Sequence, residues 1–191
     1  MGKTMIQVGS QNTQKTKYCK KSITETNKKR VFVIDIKNEY DGVETINTIE
    51  LDSFLENRYS VGVFRYVVND INEGRLDILK ILSGYWNGLL IIENPSYIFK
   101  KMPIQLFGLF ATNRTKSVDI IINFISFKKC ANLIIHADFL HLYKTIDSLS
   151  ELKNRLSMFY GLISEANAFI DENNSVIIDL NENKIHKITN S

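Results

Sequence analysis

Cysteine occurs only twice in the 191 residues, at Cys19 and Cys130, and neither stands at a metal-ligand spacing from another cysteine or a histidine. This excludes a disulfide framework, argues against a zinc site, and reads as two reduced intracellular thiols. Proline is equally scarce, with only Pro95 and Pro103, and no Gly/Ser-rich or low-complexity stretch interrupts the chain. Without such breaks, one domain over residues 1–191 is the economical expectation. No internal repeat is visible. No apolar run approaches the roughly 18–20 residues that a membrane span needs. The longest, Val118–Ile125, is broken by Asp119 and Asn123. The opening Met1-Gly2-Lys3-Thr4 leads directly into a strand-like segment, so a secretory leader is not expected.

Excess charge is also lacking. The formal net charge of +3 is too modest to name nucleic acid as a partner by itself. Its distribution is more informative, because Lys15, Lys17, Lys20, Lys21, Lys28, Lys29 and Arg30 face a single acid, Glu25, between Gln14 and Arg30. Such a segment is either a solvated helix face or a surface turned toward phosphate or DNA.

What the chain does have is alternation. Strands are expected at Thr4–Val8, Arg30–Ile36, Ser60–Val68, Gly88–Ile92, Val118–Ile125, Asn132–Ile135 and Asp138–Tyr143. Helices are expected from about Lys15 to Asn27, at Asp52–Asn57, Asn72–Ser83, Pro103–Ala111, Leu149–Tyr160 and Ser164–Glu172. Ser175–Leu180 and Lys184–Ile188 read as a terminal hairpin across Asn181-Glu182-Asn183. RVFVIDI and GLLII are apolar almost throughout, the mark of strands buried on both faces. The pattern predicts an α/β protein with a mainly parallel central sheet and a C-terminal β-hairpin. Ligands in such sheets bind beyond the carboxyl ends of strands, which here means Gly9, Asp35, Glu93 and Ser126.

Chemistry gathers at those ends. Gly9-Ser10-Gln11-Asn12-Thr13-Gln14-Lys15-Thr16 follows the first strand and opens the first helix, matching G-x-x-x-x-G-K-[ST] except at Gln14. In a phosphate loop, backbone N–H groups and the helix N-terminus cradle the phosphates. Lys15 would neutralise β/γ-phosphate charge, and the Thr16 hydroxyl would sit on Mg²⁺. The competing reading is a polar strand-to-helix turn that happens to end in Lys-Thr. Leu89-Leu90-Ile91-Ile92-Glu93 is an apolar strand ending in a carboxylate, as a Walker B strand is, and Glu93 would hold the metal. The two motifs in this order predict a three-layer P-loop NTPase fold that binds ATP with Mg²⁺.

Three further segments resemble the FtsK–HerA superfamily of P-loop ATPases. Val31–Tyr40 is similar to that family's second strand running into Asp-Pro-x-Gly-Glu-Tyr, with Ile36 and Asn38 at the proline and glycine. Arg114 ahead of Val118–Ser126 resembles the family's basic residue, short turn and strand ending in a polar sensor, and Ala137-Asp138 resembles a later segment. The likeness spans roughly Thr4 to Tyr143. It implies an ATP-driven, sequence-independent DNA translocase working as a homo-oligomeric ring. Viral genome-packaging ATPases and zonula occludens toxin-like phage assembly ATPases are the members of comparable length. It further implies a capsid or portal vertex as docking partner and a place in the host cytoplasm or with the virion. Glu93, Arg114 and Ser126 would be the catalytic residues, with Arg114 as an arginine finger toward a neighbour and Ser126 as γ-phosphate sensor.

Three positions depart from that family. Gln14 replaces the second loop glycine, so either it adopts glycine-like backbone angles or the loop takes another shape. Asn94 stands where the family has the water-polarising glutamate, and an amide cannot accept a proton. Phe127 occupies the usual place of a sensor glutamine. These changes support an alternative, a nucleotide-binding or structural protein with little or no turnover. A nucleotide kinase is a third reading, weakened by the lack of an arginine-rich lid. Asp35 would either approach the metal or cap its turn. His136 and His141 are expected in surface or packing roles, Tyr85 and Trp86 in the core, and Tyr18 against the sheet or stacked on a base.

Overall fold

The computed structural model of the chain describes residues 2–11, 13–171 and 174–189. Strands and helices alternate as expected, and the chain divides into two compact units. The first holds residues up to Lys3 together with Thr16–Ile122; the second holds Thr4–Lys15 and everything from Asn123. No described helix is long and apolar enough to cross a membrane.

The first unit contains strands β2 (Arg30–Asp35), β3 (Glu44–Thr45), β4 (Gly62–Val67) and β5 (Gly88–Ile92), and most of β6 (Val118–Phe124), all parallel in the order β3-β4-β2-β5-β6. Every residue of β2 and β5 is buried, which is why both read as unbroken apolar runs. Helix α1 (Lys15–Glu25) leads into this unit, followed by α2 (Thr48–Glu56), α3 (Ile71–Gly84) and α4 (Ile104–Thr112). Helix α2 starts earlier than the sequence suggested. Asn47 and Glu50 form a reciprocal capping box there, satisfying amides that would otherwise be orphaned. The buried face of α3 consists of Gly74, Asp77, Ile78, Ile81 and Leu82, whereas Leu76 lies on the exposed face.

The second unit contains β1 (Thr4–Val8), which pairs in parallel with β7 (Phe139–Leu142), and an antiparallel extension from β7 through β8 (Asn174–Asp179) to β9 (Lys184–Thr189). The expected terminal hairpin is therefore present. Asn132–Ile135, expected as a strand, is instead the end of helix α5 (Phe127–Ile134). Phe127, Cys130, Ala131, Leu133 and Ile134 recur at helical spacing on one buried face, and the Ser126 side chain caps the first turn. The long helix expected at Leu149–Tyr160 is broken into a 3₁₀ turn at Leu149–Leu152, a short α6 (Lys153–Leu156) and another 3₁₀ turn, before α7 (Tyr160–Asn167). His141 is buried in a polar cluster with Gln7, Ser175 and Tyr143, while His136 is exposed.

Candidate functional site

In the second unit, the segment after β1 is a loop closed by its own lysine. Gly9 donates its N–H to Phe124 O at 3.1 Å, and Ser10 donates to Lys144 O at 2.8 Å. A Cβ at position 9 would stand 2.6 Å from the Tyr143 Cβ, so glycine is required by close approach. Lys15 opens α1 and is buried, and its Nζ lies 2.7 Å from each of Gly9 O, Ser10 O and Thr13 Oγ1. Thr13 Oγ1 in turn donates to Ser10 O at 3.0 Å. The Ser10 hydroxyl is buried and has no hydrogen-bond partner among the described residues. An orphaned hydroxyl beside a lysine ammonium suits a phosphate oxygen, which would accept from both.

Gln14 is not among the described non-glycine residues with positive φ, which are Asn38, Asn87, Asn94, Ser117 and Asn183. The loop therefore takes a shape that needs no glycine at position 14. Gln11 is exposed, and Asn12 lies outside the described residues.

The carboxyl ends of β2 and β5 hold the chemistry of the first unit. Asp35 is fully buried and accepts from the Glu39 and Tyr40 backbone N–H groups at 2.9 and 3.0 Å, while Arg65 Nη1 pairs with it at 3.2 Å. The same Nη1 donates to Asn38 Oδ1 at 2.8 Å, holding that residue in its left-handed turn. Of the two roles open to Asp35 in the sequence, the geometry displays the turn cap. The consequence is positional. The clamped turn sets Glu39 Oε2 at 2.9 Å from the Thr16 hydroxyl, which donates to it. It also sets the Tyr40 hydroxyl at 2.5 Å from Glu93 Oε1. Burial, with the nearby Cys19 and Glu93, pushes the Tyr40 phenol well above its ordinary pKa, so it remains the proton donor to that carboxylate.

Glu93 is buried at the end of β5, where the sequence placed it. The next residue, Asn94, is buried too and left-handed, at φ 41° and ψ 60°, and its Oδ1 has no partner among the described residues. Among the described residues, no group of three or more His, Cys, Asp and Glu gathers to hold a metal. A Mg²⁺ bound mainly by phosphates and water needs only one or two protein carboxylates, so Thr16 with Glu93 suits it.

Arg114 and Ser126 are the other two expected catalytic residues. Arg114 is exposed on the turn before β6, at the amino end of that strand, and is not brought to Glu93. In the second unit, Ser126 donates to Asp147 Oδ1 at 2.8 Å and accepts from Lys128 N–H at 3.1 Å, and the same Asp147 accepts from Phe127 N–H at 2.5 Å. Glu39 was not singled out from the sequence. Its signal is present in hindsight, as an acid just past a strand end inside the segment Val31–Tyr40.

No protein-family model matches the chain, and no curated protein matches it. Solved structures do. The genome packaging NTPase B204 from Sulfolobus turreted icosahedral virus 2 in complex with AMPPCP aligns over 100% of this chain and 98% of its own, with a TM-score of 0.75 at 14% identity. B204, the DNA-packaging ATPase from Sulfolobus turreted icosahedral virus, aligns over 99% and 98%, with a TM-score of 0.71 at 11% identity. The chain has the fold of a viral genome-packaging NTPase. Thermomonospora curvata EccC (ATPases 2 and 3) shares it more distantly, with a TM-score of 0.53 at 10% identity over 100% of this chain and 37% of that one. The likeness is one of fold, and it agrees with the α/β architecture, mainly parallel sheet and C-terminal hairpin expected from the sequence.

Proposed function

We propose that this protein is an ATPase that moves DNA without reading its sequence, working as a homo-oligomeric ring in viral genome packaging or phage assembly. The observation that carries the reading is the pair of carboxylates tied to Thr16 and Tyr40, on the fold of a packaging NTPase. B204 of the similar fold has been captured with ATPγS and with AMPPCP, which supports nucleotide as the ligand here.

Each residue then has a role. The loop Gly9–Gln14 and Lys15 bind phosphate. The Thr16 hydroxyl and Glu93 hold Mg²⁺, and Tyr40 orients Glu93 through its phenol. Bound Mg·ATP supplies the phosphoryl group whose transfer drives movement. Glu39 supplies the proton-accepting carboxylate that Asn94 cannot, and orients the attacking water at its Oε2. Arg114 acts on the site of a neighbouring subunit, which its exposure permits. The lysines Lys17, Lys20 and Lys21 of α1 add positive potential. A capsid or portal vertex is the proposed docking partner, in the host cytoplasm or the virion.

The second reading, a nucleotide-binding protein with little turnover, is favoured by Asn94 alone. Steady-state ATP hydrolysis with and without DNA separates the two. Wild type is expected to turn over faster with DNA present, and Glu39→Gln is expected to lose on the order of 10²-fold in turnover while still binding nucleotide. Background turnover by the wild type with DNA would leave the second reading standing.

A further inference from the structure

Strands β2, β4, β5 and β6 run parallel, so the segments entering them share one edge of the first unit, opposite the carboxyl ends that carry Asp35, Glu93 and Asn94. These segments are bonded to one another. Gly62 N–H donates to Lys29 O, Asn87 N–H donates to Lys116 O, and the Arg30 guanidinium donates to Trp86 O. Lys28 Nζ donates to Ser117 O and pairs with Asp119 at 3.7 Å. At the centre is the half-buried Trp86 indole, with the Arg58 guanidinium 4.4 Å and the Lys116 ammonium 5.5 Å from the ring centre.

The charge on this edge is unbalanced. Arg58 and Lys116 have no carboxylate within salt-bridge distance among the described residues, and Lys29 is exposed on the segment entering β2. Asp119 is already engaged by Lys28, and Glu25 at the end of α1 pairs with Lys21 at 3.6 Å, which leaves the exposed Glu56 as the remaining acid flanking these segments. Burial, and next the charge of Arg58, lower the Lys116 pKa, as expected of like charges held near each other. The Lys116 ammonium donates to Ser83 O at 2.6 Å, which holds it in place without neutralising it, so two cations over one indole are arranged for an anion from outside. Tyr59, 83% exposed on the turn that carries Arg58, adds an aromatic face to the same edge.

We propose that this edge, centred on Arg58, Trp86, Lys116 and Lys29, is a contact surface for the phosphodiester backbone of DNA. It rests on the reading that the protein handles DNA, and adds where the strand lies: on the amino-terminal edge of the first unit, opposite the β5 end that carries Glu93. Cations on an aromatic platform recognise phosphate without reading bases, so binding is sequence-independent and strongly salt-dependent.

The test is fluorescence anisotropy of a labelled DNA duplex titrated with the full-length protein across a salt series, without nucleotide. The double variant Arg58→Ala/Lys116→Ala is expected to bind at least about tenfold more weakly and to lose about two from the log–log salt slope. Arg58→Glu/Lys29→Glu, confined to exposed side chains, is expected to do the same. Lys100→Ala/Lys101→Ala, which removes two exposed charges elsewhere, is expected to bind as wild type. Wild-type affinity in both edge variants, an equal loss in the Lys100/Lys101 variant, or no DNA binding by the wild type would each overturn the proposal. A nucleotide-dependent rise in melting temperature, measured on the same samples, reports the nucleotide reading separately, so either can fail alone.

Discussion

Asn94 departs most from the family pattern, and its backbone supplies a reason. At φ 41° and ψ 60° it occupies the left-handed region, which asparagine tolerates far better than glutamate does. Restoring glutamate there would force a longer, charged side chain into a buried, left-handed position beside Glu93. Asn94→Glu is therefore expected to cost about 1–3 kcal/mol in stability, measured by urea denaturation. An unchanged midpoint would contradict this account of the position. His141 gives a second prediction at this scale. Burial lowers its pKa to about 3 from an ordinary 6.5, so the unfolded chain binds the proton more readily than the native one. Its contribution to stability is complete above pH 6.5 and is lost progressively as pH falls toward 3. The slope of stability against pH between 5 and 6.5 is expected to flatten in His141→Gln, and a slope identical to wild type would refute the assignment. Glu93 was legible in the sequence because an apolar strand ending in an acid is a local pattern. Glu39 was not, because its position depends on Asp35 bonding two amides four and five residues later and on Arg65 from another strand.

Among the elements, those buried on both faces were read nearly to the residue, since continuous burial writes itself into composition. Arg30–Asp35 and Gly88–Ile92 are the examples. Helix α5 was misread where Asn-Leu-Ile-Ile looked strand-like in isolation; its helical period begins at Phe127, under a cap at Ser126. Strand β3 is two residues long and exposed, too short to leave a pattern. The cap also bears on Ser126 itself, which the sequence offered as a γ-phosphate sensor. Ser126→Ala removes the acceptor for Lys128 N–H and a donor to Asp147, so a loss of about 0.5–2 kcal/mol in stability is expected. Unchanged stability with lost ATP turnover would instead make Ser126 a sensor and not a cap.

For the whole molecule, the order of segments carried the fold across a distance that sequence identity does not. The structures it resembles share only 10–15% of its residues. Partner surfaces were not legible in the same way. The edge around Trp86 is assembled from residues 29, 58, 86 and 116, which no local pattern connects, whereas the basic run of α1 was visible because it is contiguous. In the proposed function, the loop closed by Lys15 binds the phosphates of a nucleotide. The most direct measurement is the melting temperature of the wild type and Lys15→Ala with millimolar ATP or ADP, with and without Mg²⁺. A Mg²⁺-dependent rise is expected in the wild type and is lost in Lys15→Ala, which remains folded. No rise in the wild type, or the same rise in both proteins, would contradict it.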